Sequence, residues 1–459
     1  MDLRRPFFLC TVVALAVLGA AVPGSSARSH ASFAATAHPA YPLKDSSTGR
    51  YLVDQRGRPF MIVGDSPQSM IVNLSLADAK LFIANRAAAG FNSLWINLLC
   101  VKYTGGRADG STYDHIVPFT KPGDLERPNE RYFKRVDAMI RLAGRYGMNV
   151  FLDPIETGGW LSVLKSNGPA KAFAYGRYLG KRYAKFPNII WMSGNDFQDW
   201  KDPSSDAVVL AVAKGIKSVD RRHLQTVELN IGVSTSSDDV RWLPLLGLDA
   251  AYTYSPTYAE VLQDYTRKSP LPVFMVEAGY EFEQNSSSIS PGTPDTLRRQ
   301  EYWSLLSGAT GQLYGNHYTW QFLSDWKSHL DTPGSQQIGY LVKLFRGRPW
   351  YQLVPDLHTL LTSGYGTYTQ NGSVDSSDYA TAAQTPDGKL AMVYLPTPRM
   401  FTLDMSKLAA GAVAQWFDPT AGTFTPASPL SQDGTTASFR PPDKNSAGDR
   451  DWVLVLTAH

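Results

Sequence analysis

Between residues 60 and 345, short apolar, β-rich runs take turns with segments of helical period. This alternation constrains the fold more than any other feature of the chain. The runs are Phe60–Gly64, Ser93–Leu99, Asn149–Asp153, Asn188–Ser193, Gln225–Leu229, Ala250–Tyr254, Val273–Glu277 and Gly311–Tyr314. Helical patterns fall at Leu76–Ala89, Asn129–Tyr146, Pro169–Tyr183, Ser205–Val219, Tyr258–Thr266, Pro294–Leu306 and Gln336–Phe345. Continuous apolar strands suit a parallel sheet covered on both faces. Eight alternations over about 300 residues match an α/β chain folded as a (β/α)8 TIM barrel. A doubly wound open sheet is the alternative. No Gly-rich phosphate loop follows an early strand, which argues against its nucleotide-binding form. The long, turn-rich segment Val101–Pro128 follows the second strand, so in a barrel it lies on the active-site face.

After Arg346-Gly-Arg-Pro-Trp350 the pattern becomes all β. Tyr379–Gln384 and Leu390–Leu395 flank Thr385-Pro-Asp-Gly-Lys389, a hairpin turn signal. Further strands are expected at Met400–Asp404, Val413–Phe417, Thr435–Phe439 and Trp452–Leu456. A C-terminal β-sandwich fits this spacing. At the other end, Arg4 and Arg5 precede an apolar run from Phe7 to Val22 and a small-residue stretch ending at Ala27. That order is a secretory signal peptide, and the run is shorter than a membrane span needs. The expected organisation is a signal peptide at 1–27, a linker at 28–45, a catalytic domain at 46–346 and a β-sandwich at 347–459. The mature protein is then secreted or periplasmic, has no membrane span and retains one cysteine, Cys100. A net charge of +3 from 44 basic and 41 acidic side chains argues against a nucleic-acid partner.

In a barrel the strand C-termini hold the reactive groups. Carboxylates directly follow apolar strands four and seven: Asp196, after Ser193-Gly194-Asn195, and Glu277. Those strand ends face each other across a barrel mouth. Two carboxylates flanking a glycosidic bond can divide the roles of acid and nucleophile. The bland alternative has Asp196 capping a helix and Glu277 in an ordinary ion pair. Asn195 is a candidate for bonding a sugar hydroxyl. Asp65 either binds a sugar hydroxyl or caps a helix, and Asp153 either orients the acid or ends its strand. Tyr254 either donates to the strand-seven carboxylate or packs in the core. His317 and Trp320 either floor a sugar site or pack under the tail domain. Glu281 is the rival nucleophile. Tyr254, Tyr280, Tyr314 and Trp320 fall at or just past strand ends, where a sugar ring would stack on aromatic planes. The eight His are scattered, with no His-Glu-x-x-His helix and no paired Cys, so no metal site is expected. No Gly-x-Ser-x-Gly elbow follows a strand, which argues against a Ser-His-Asp hydrolase.

Several segments, in order, resemble the apiosidase-like glycoside hydrolases, glycoside hydrolase family 140 and its relatives. They are Tyr51 to Phe60 through Gly64-Asp65-Ser66, Ala89-Gly-Phe-Asn92, Ile190-Trp191 through Gly194-Asn195-Asp196-Phe197, Glu277 to Tyr280-Glu281, and Tyr314-Gly315 to Trp320. Trp350 to Asp356, Trp416 to Gly422 and Asp451 to Leu454 resemble the small β-domain, sometimes labelled collagen-binding, that follows such barrels. The resemblance implies a retaining glycosidase with no cofactor, with Asp196 as general acid/base and Glu277 as nucleophile. It implies a carbohydrate substrate in a plant or microbial polysaccharide; the family's characterised substrate is apiose-containing pectin. The chain departs from the family with Asn195 where a Gly is usual and Ala278 where Pro often follows the Glu. The rival reading is a non-catalytic carbohydrate- or matrix-binding protein on the same barrel.

Overall fold

The computed structural model describes residues 38–230 and 232–458. The expected signal peptide and the first part of the expected linker, to residue 37, lie outside them. Nine strands form one sheet: β1 (Ile62–Asp65), β2 (Ser93–Asn97), β3 (Asn149–Asp153), β4 (Ile189–Ser193), β5 (Gln225–Val227), β6 (Val233–Thr235), β7 (Asp249–Thr253), β8 (Val273–Glu277) and β9 (Gly311–Tyr314). Their spatial order is β5-β4-β3-β2-β1-β9-β8-β7-β6. Every pairing is parallel except that of β6, which runs antiparallel to β7. The main helices are α1 (Leu76–Ala89), α2 (Glu130–Arg145), α3 (Thr157–Tyr183), α4 (Pro203–Lys217), α5 (Thr257–Tyr265), α6 (Pro294–Leu306) and α7 (Pro333–Phe345). Seven of these strands and six of the seven helices fall within a few residues of the sequence expectation, as does the shorter β5. The short β6 is additional. Helix α3 begins at Thr157 rather than Pro169, because Gly168, at φ 75°, breaks it into two helical pieces that Pro169 restarts.

The sheet is curled. Strand residues alternate between two faces. Ile62, Trp95, Phe151, Ile190, Met192, Ala250, Tyr252, Phe274, Val276 and Leu313 all join one buried cluster on the inner face. Phe151 of β3 and Phe274 of β8 stack at 5.1 Å between ring centroids, although four strand positions separate them in the sheet. Only a sheet bent round its own interior brings those rings together. Leu43, Leu52 and Phe60 add to this cluster from the chain entering β1. The outer-face residues, among them Val150, Leu152, Ile189 and Trp191, pack with the helices instead. Both faces are therefore buried, and that is why the strands are continuously apolar. Between β5 and β7, Ser236 makes the lateral bonds: its hydroxyl lies 3.0 Å from Thr226 Oγ1, and it accepts from Ala250 N at 2.9 Å.

Two antiparallel sheets follow, one of six strands and one of four. Strands Leu390–Leu395 and Trp452–Thr457 lie side by side within the six-stranded sheet. Leu390, Met392, Tyr394, Val453 and Val455 join the cluster shared with the helices. Ala391, Val393, Leu395, Trp452, Leu454 and Leu456 face the second sheet, against Phe401, Leu403 and Phe439. One strand pair thus serves two cores by period-two alternation.

The tail is fastened to α6 by a buried cation. Arg298 donates Nε to Asp451 Oδ2 at 2.8 Å and Nη2 to Asp451 Oδ1 at 2.7 Å, with further bonds to Asp449 and Gln337. Trp303 Nε1 donates to the Tyr379 carbonyl at 2.9 Å, and Tyr302 stacks on Tyr394 at 5.0 Å. Among the described residues no helix is long and apolar enough to cross a membrane. Breaking a buried ion pair from one side leaves an uncompensated charge, which costs about 3–5 kcal/mol. Asp451→Ala should therefore lower unfolding free energy by about that amount in urea titrations. A loss below about 1 kcal/mol, the worth of an exposed pair, would remove Arg298 as the fastening.

Candidate active site

Strand β4 ends at Ser193, and the chain then turns through three left-handed residues: Gly194, Asn195 and Asp196, at φ 116°, 59° and 55°. This conformation costs a residue with a Cβ about 1–2 kcal/mol, with Asn and Asp the usual exceptions to glycine. Gly194 has no substitute, because a Cβ there would lie 2.0 Å from the carbonyl oxygen of Glu228. Thr157, at the start of α3, donates its N–H and its hydroxyl to the Gly194 carbonyl at 2.7 and 2.8 Å. The turn carries Asp196 into the mouth of the curled sheet.

Glu277 ends β8. By simple alternation it would share the outward face of Val273 and Met275. The β7–β8 ladder, however, shifts register between Ala251 and Tyr252, so that Ala251 pairs with Met275 and Tyr252 with Glu277. This bulge sets the carboxylate opposite the tyrosine, the re-aiming that bulges provide. Tyr252 Oη lies 2.9 Å from Glu277 Oε1 and 2.9 Å from Asp196 Oδ1. The two carboxylate oxygens can therefore be no farther apart than twice that length. Tyr254, two residues on and on the same face, donates to Glu277 Oε1 at 2.8 Å, and Tyr280 donates to Oε2 at 2.7 Å. Tyr103, from the long segment after β2, donates to Asp196 Oδ2 at 2.6 Å.

Burial, and then the neighbouring carboxylates, hold the phenols of Tyr103, Tyr252, Tyr254 and Tyr280 protonated, so all four are donors. Burial raises both acids. Asp196 is raised against the lowering effect of its bonds from Tyr103 and Tyr252. Glu277 is raised first by burial and then by the charge of Asp196, against its three tyrosines. A phenol has one proton. If Tyr252 donates to Glu277, its oxygen can meet Asp196 favourably only by accepting a proton from Asp196. Glu277 has the larger set of donors, so the hydrogen bonds favour the ionised form at Glu277 over that at Asp196, while burial and the neighbouring carboxylate push Glu277 up to about 8.

The other expected residues divide. Asn195 is buried beside the pair; it donates to Gln68 Oε1 at 3.1 Å, and Gln68 donates to Tyr280 Oη at 3.2 Å, which joins Asn195 to Glu277 through a chain of bonds. Tyr254 has the donor role expected of it and also receives Asn285 Nδ2 at 2.9 Å. His317 and Trp320 come together on Glu283, with ring nitrogens 3.0 and 2.6 Å from its Oε1. Asp65, expected either to bind a sugar hydroxyl or to cap a helix, makes an ion pair within the fold. It sits on the helix-facing side of β1, fully buried, and is ion-paired with Arg86 of α1. Asp153 is also fully buried, with Oδ1 accepting from Ile155 N at 3.0 Å. Glu281 is fully buried beneath the mouth, bound by Tyr314, Thr332 and the Gly334 N–H at the start of α7. Asn316 Nδ2 also donates to it at 3.3 Å, and Thr332 and Gly334 tie it to the start of that helix.

Four participants were not singled out by the sequence: Tyr252, Tyr103, Gln68 and Glu228. Tyr252 was readable in principle, because it stands two residues before Tyr254 and so shares its face. Glu228 directly follows β5 and reads as an interior strand residue only if that strand is drawn too long. Tyr103 and Gln68 lie in loops, where periodicity carries no information.

A family model described as "Apiosidase-like, catalytic domain" matches residues 46–352, and one described as "Putative collagen-binding domain of a collagenase" matches residues 368–457. A solved structure described as a glycoside hydrolase is similar at a TM-score of 0.77 and 23% identity, covering 90% of this chain and 96% of that one. A glycoside hydrolase family 5 structure from Bacteroides vulgatus ATCC 8482 is similar at 0.77 and 22%, covering 90% and 93%. At these identities the likeness is one of fold. No curated protein matches the chain.

Burial pushes Asp153 and Glu156, below the site, up to about 8. The unfolded chain ionises these carboxyls near pH 4 while the folded chain keeps its protons, so folding takes up protons between those values. Their contribution to stability is full below about pH 4 and declines as pH rises toward 8. Melting temperature should fall from pH 5 to pH 8, and the Asp153→Asn, Glu156→Gln double variant should flatten that slope. An unchanged slope in the double variant would contradict the assignment.

Proposed function

The chain belongs to the family of apiosidase-like catalytic domains, and from that premise we propose that it is a secreted retaining glycoside hydrolase acting on a plant or microbial polysaccharide, with apiosidase-like action the leading case. The observation that carries this reading is the shared contact of Asp196 and Glu277 with the Tyr252 hydroxyl. It supports a close pair of the kind retaining enzymes use, at about 5–5.5 Å, rather than the roughly 6.5–9.5 Å that leaves room for an inverting water.

Asp196, neutral, gives its proton to the glycosidic oxygen as the leaving group departs. A carboxylate oxygen of Glu277 bonds to the anomeric carbon, forming a glycosyl ester. Asp196, now ionised, takes a proton from water; the water oxygen bonds to the anomeric carbon and Glu277 leaves as carboxylate. Tyr254 and Tyr280 stabilise Glu277 as it starts and as it is released. No cofactor enters these steps. We take the curled sheet as a (β/α)8 barrel, with Ser236 bridging its seam, and the two tail sheets as a β-sandwich that buttresses it. The basic-then-apolar order of residues 4–22 supports export to the periplasm or medium.

The purified protein should release sugar from at least one member of a panel of plant and microbial polysaccharides. Asp196→Ala should lower that rate by about 10²–10⁴, the usual worth of a general acid, and Glu277→Ala by at least as much. Melting temperatures should stay within a few degrees of wild type. If both variants process the glycan as wild type does, or if wild type binds the glycan and releases nothing, the reading is wrong.

A further inference from the structure

The mechanism above leaves one carboxyl of the site unused. Glu228, directly after β5, is 1% exposed, and its Oε2 accepts the main-chain N–H of Asp196 at 3.1 Å. Its own N–H donates to the Ser193 carbonyl at 2.8 Å, and its carbonyl oxygen occupies the space that a Gly194 Cβ would need. Glu228 thus touches the β4 turn at its start, its middle and its end. The Asp196 N–H projects from a left-handed turn outside any ladder, and a buried N–H without an acceptor costs about 1–3 kcal/mol. The Glu228 carboxyl meets that need and so stabilises a backbone conformation that Asn195 and Asp196 would not otherwise favour.

We propose that Glu228 is a positioning residue for Asp196, its buried carboxyl holding the left-handed turn that aims the Asp196 side chain at Tyr252 and Glu277. The consequence for rate rests on Asp196 being the general acid; the consequence for geometry does not. Glu228 faces Asp196, Glu277 and Asp153, and it influences Tyr103, Tyr252 and Tyr280. Burial, then the charges of Glu277 and Asp196, hold its carboxyl well above the usual range. A neutral carboxyl accepts the N–H through its carbonyl oxygen, and a glutamine amide oxygen can do the same.

Glu228→Gln and Glu228→Leu separate acceptor from bulk, read by crystal structure and by sugar release from the polysaccharide that wild type cleaves. The glutamine variant should keep Asp196 left-handed and within hydrogen-bond reach of Tyr252, with a rate within about threefold of wild type. The leucine variant should rotate the Asn195–Asp196 peptide, separate Asp196 from Tyr252 and lose about 10²-fold or more in kcat, with KM little changed. If the leucine variant does not fold, Glu228→Met, unbranched and adaptable, takes its place. An acceptor-less variant that keeps both the Asp196 geometry and the rate overturns the proposal, as does a folded glutamine variant as impaired as leucine. If wild type cleaves no glycan while the turn responds as described, the functional reading fails and the positioning role stands.

Discussion

A single hydroxyl proton between the buried Glu277 and the half-buried Asp196 is the constraint around which this site is built. Tyr252 Oη touches Asp196 and Glu277 at equal distance, and it has one hydrogen to give. Two ionised carboxylates facing one phenol in a buried setting would repel each other with little water to screen them, so the arrangement is satisfied when one acid keeps its proton. The remaining tyrosines break the tie. Tyr254 and Tyr280 both serve Glu277, whereas Asp196 has Tyr103 alone besides the shared contact. In the proposed mechanism, acid and nucleophile are thereby distinguished by their hydrogen-bond donors rather than by residue type.

That contact depends on two departures from regular strand geometry. A register shift brings Tyr252 opposite Glu277, and a left-handed Gly-Asn-Asp turn brings Asp196 in from β4. Each departure is held by rigid neighbours. The turn is bonded by Thr157 of α3 on one side and Glu228 on the other. The curled sheet is fixed by inward rings such as Phe151 on Phe274, and its outer face is covered by helices. One of those helices, α6, is tied in turn to the tail by Arg298 and Asp451. Arg298 thus connects the tail to the helical layer around the curled sheet.

Much of this was legible in the sequence because it follows from periodicity. Strands buried on both faces read as continuous apolar runs, and β3, β8 and β9 run between the residues expected of them. The positions of Asp196 and Glu277 followed from strand ends. What periodicity could not convey was parity at the last residue of a strand. Asp65 ends β1 on the helix-facing side and pairs with Arg86, whereas Glu277 meets Tyr252 only because a bulge breaks the alternation. Nor could it convey contacts from distant loops: Tyr103 lies 93 residues before the carboxylate it binds. Glu281, the rival nucleophile just beyond Glu277, is set apart by the tertiary contacts that bury it at the start of α7.

The central claim is that Glu277 attacks the anomeric carbon while Asp196 manages the proton. The most direct measurement is trapping of the glycosyl-enzyme with an activated 2-deoxy-2-fluoro glycoside of the sugar the protein releases, followed by mass spectrometry of its peptides. The account predicts one adduct, on the peptide bearing Glu277 and at that side chain. An adduct on Glu281, or hydrolysis with inverted anomeric configuration and no adduct, would contradict it.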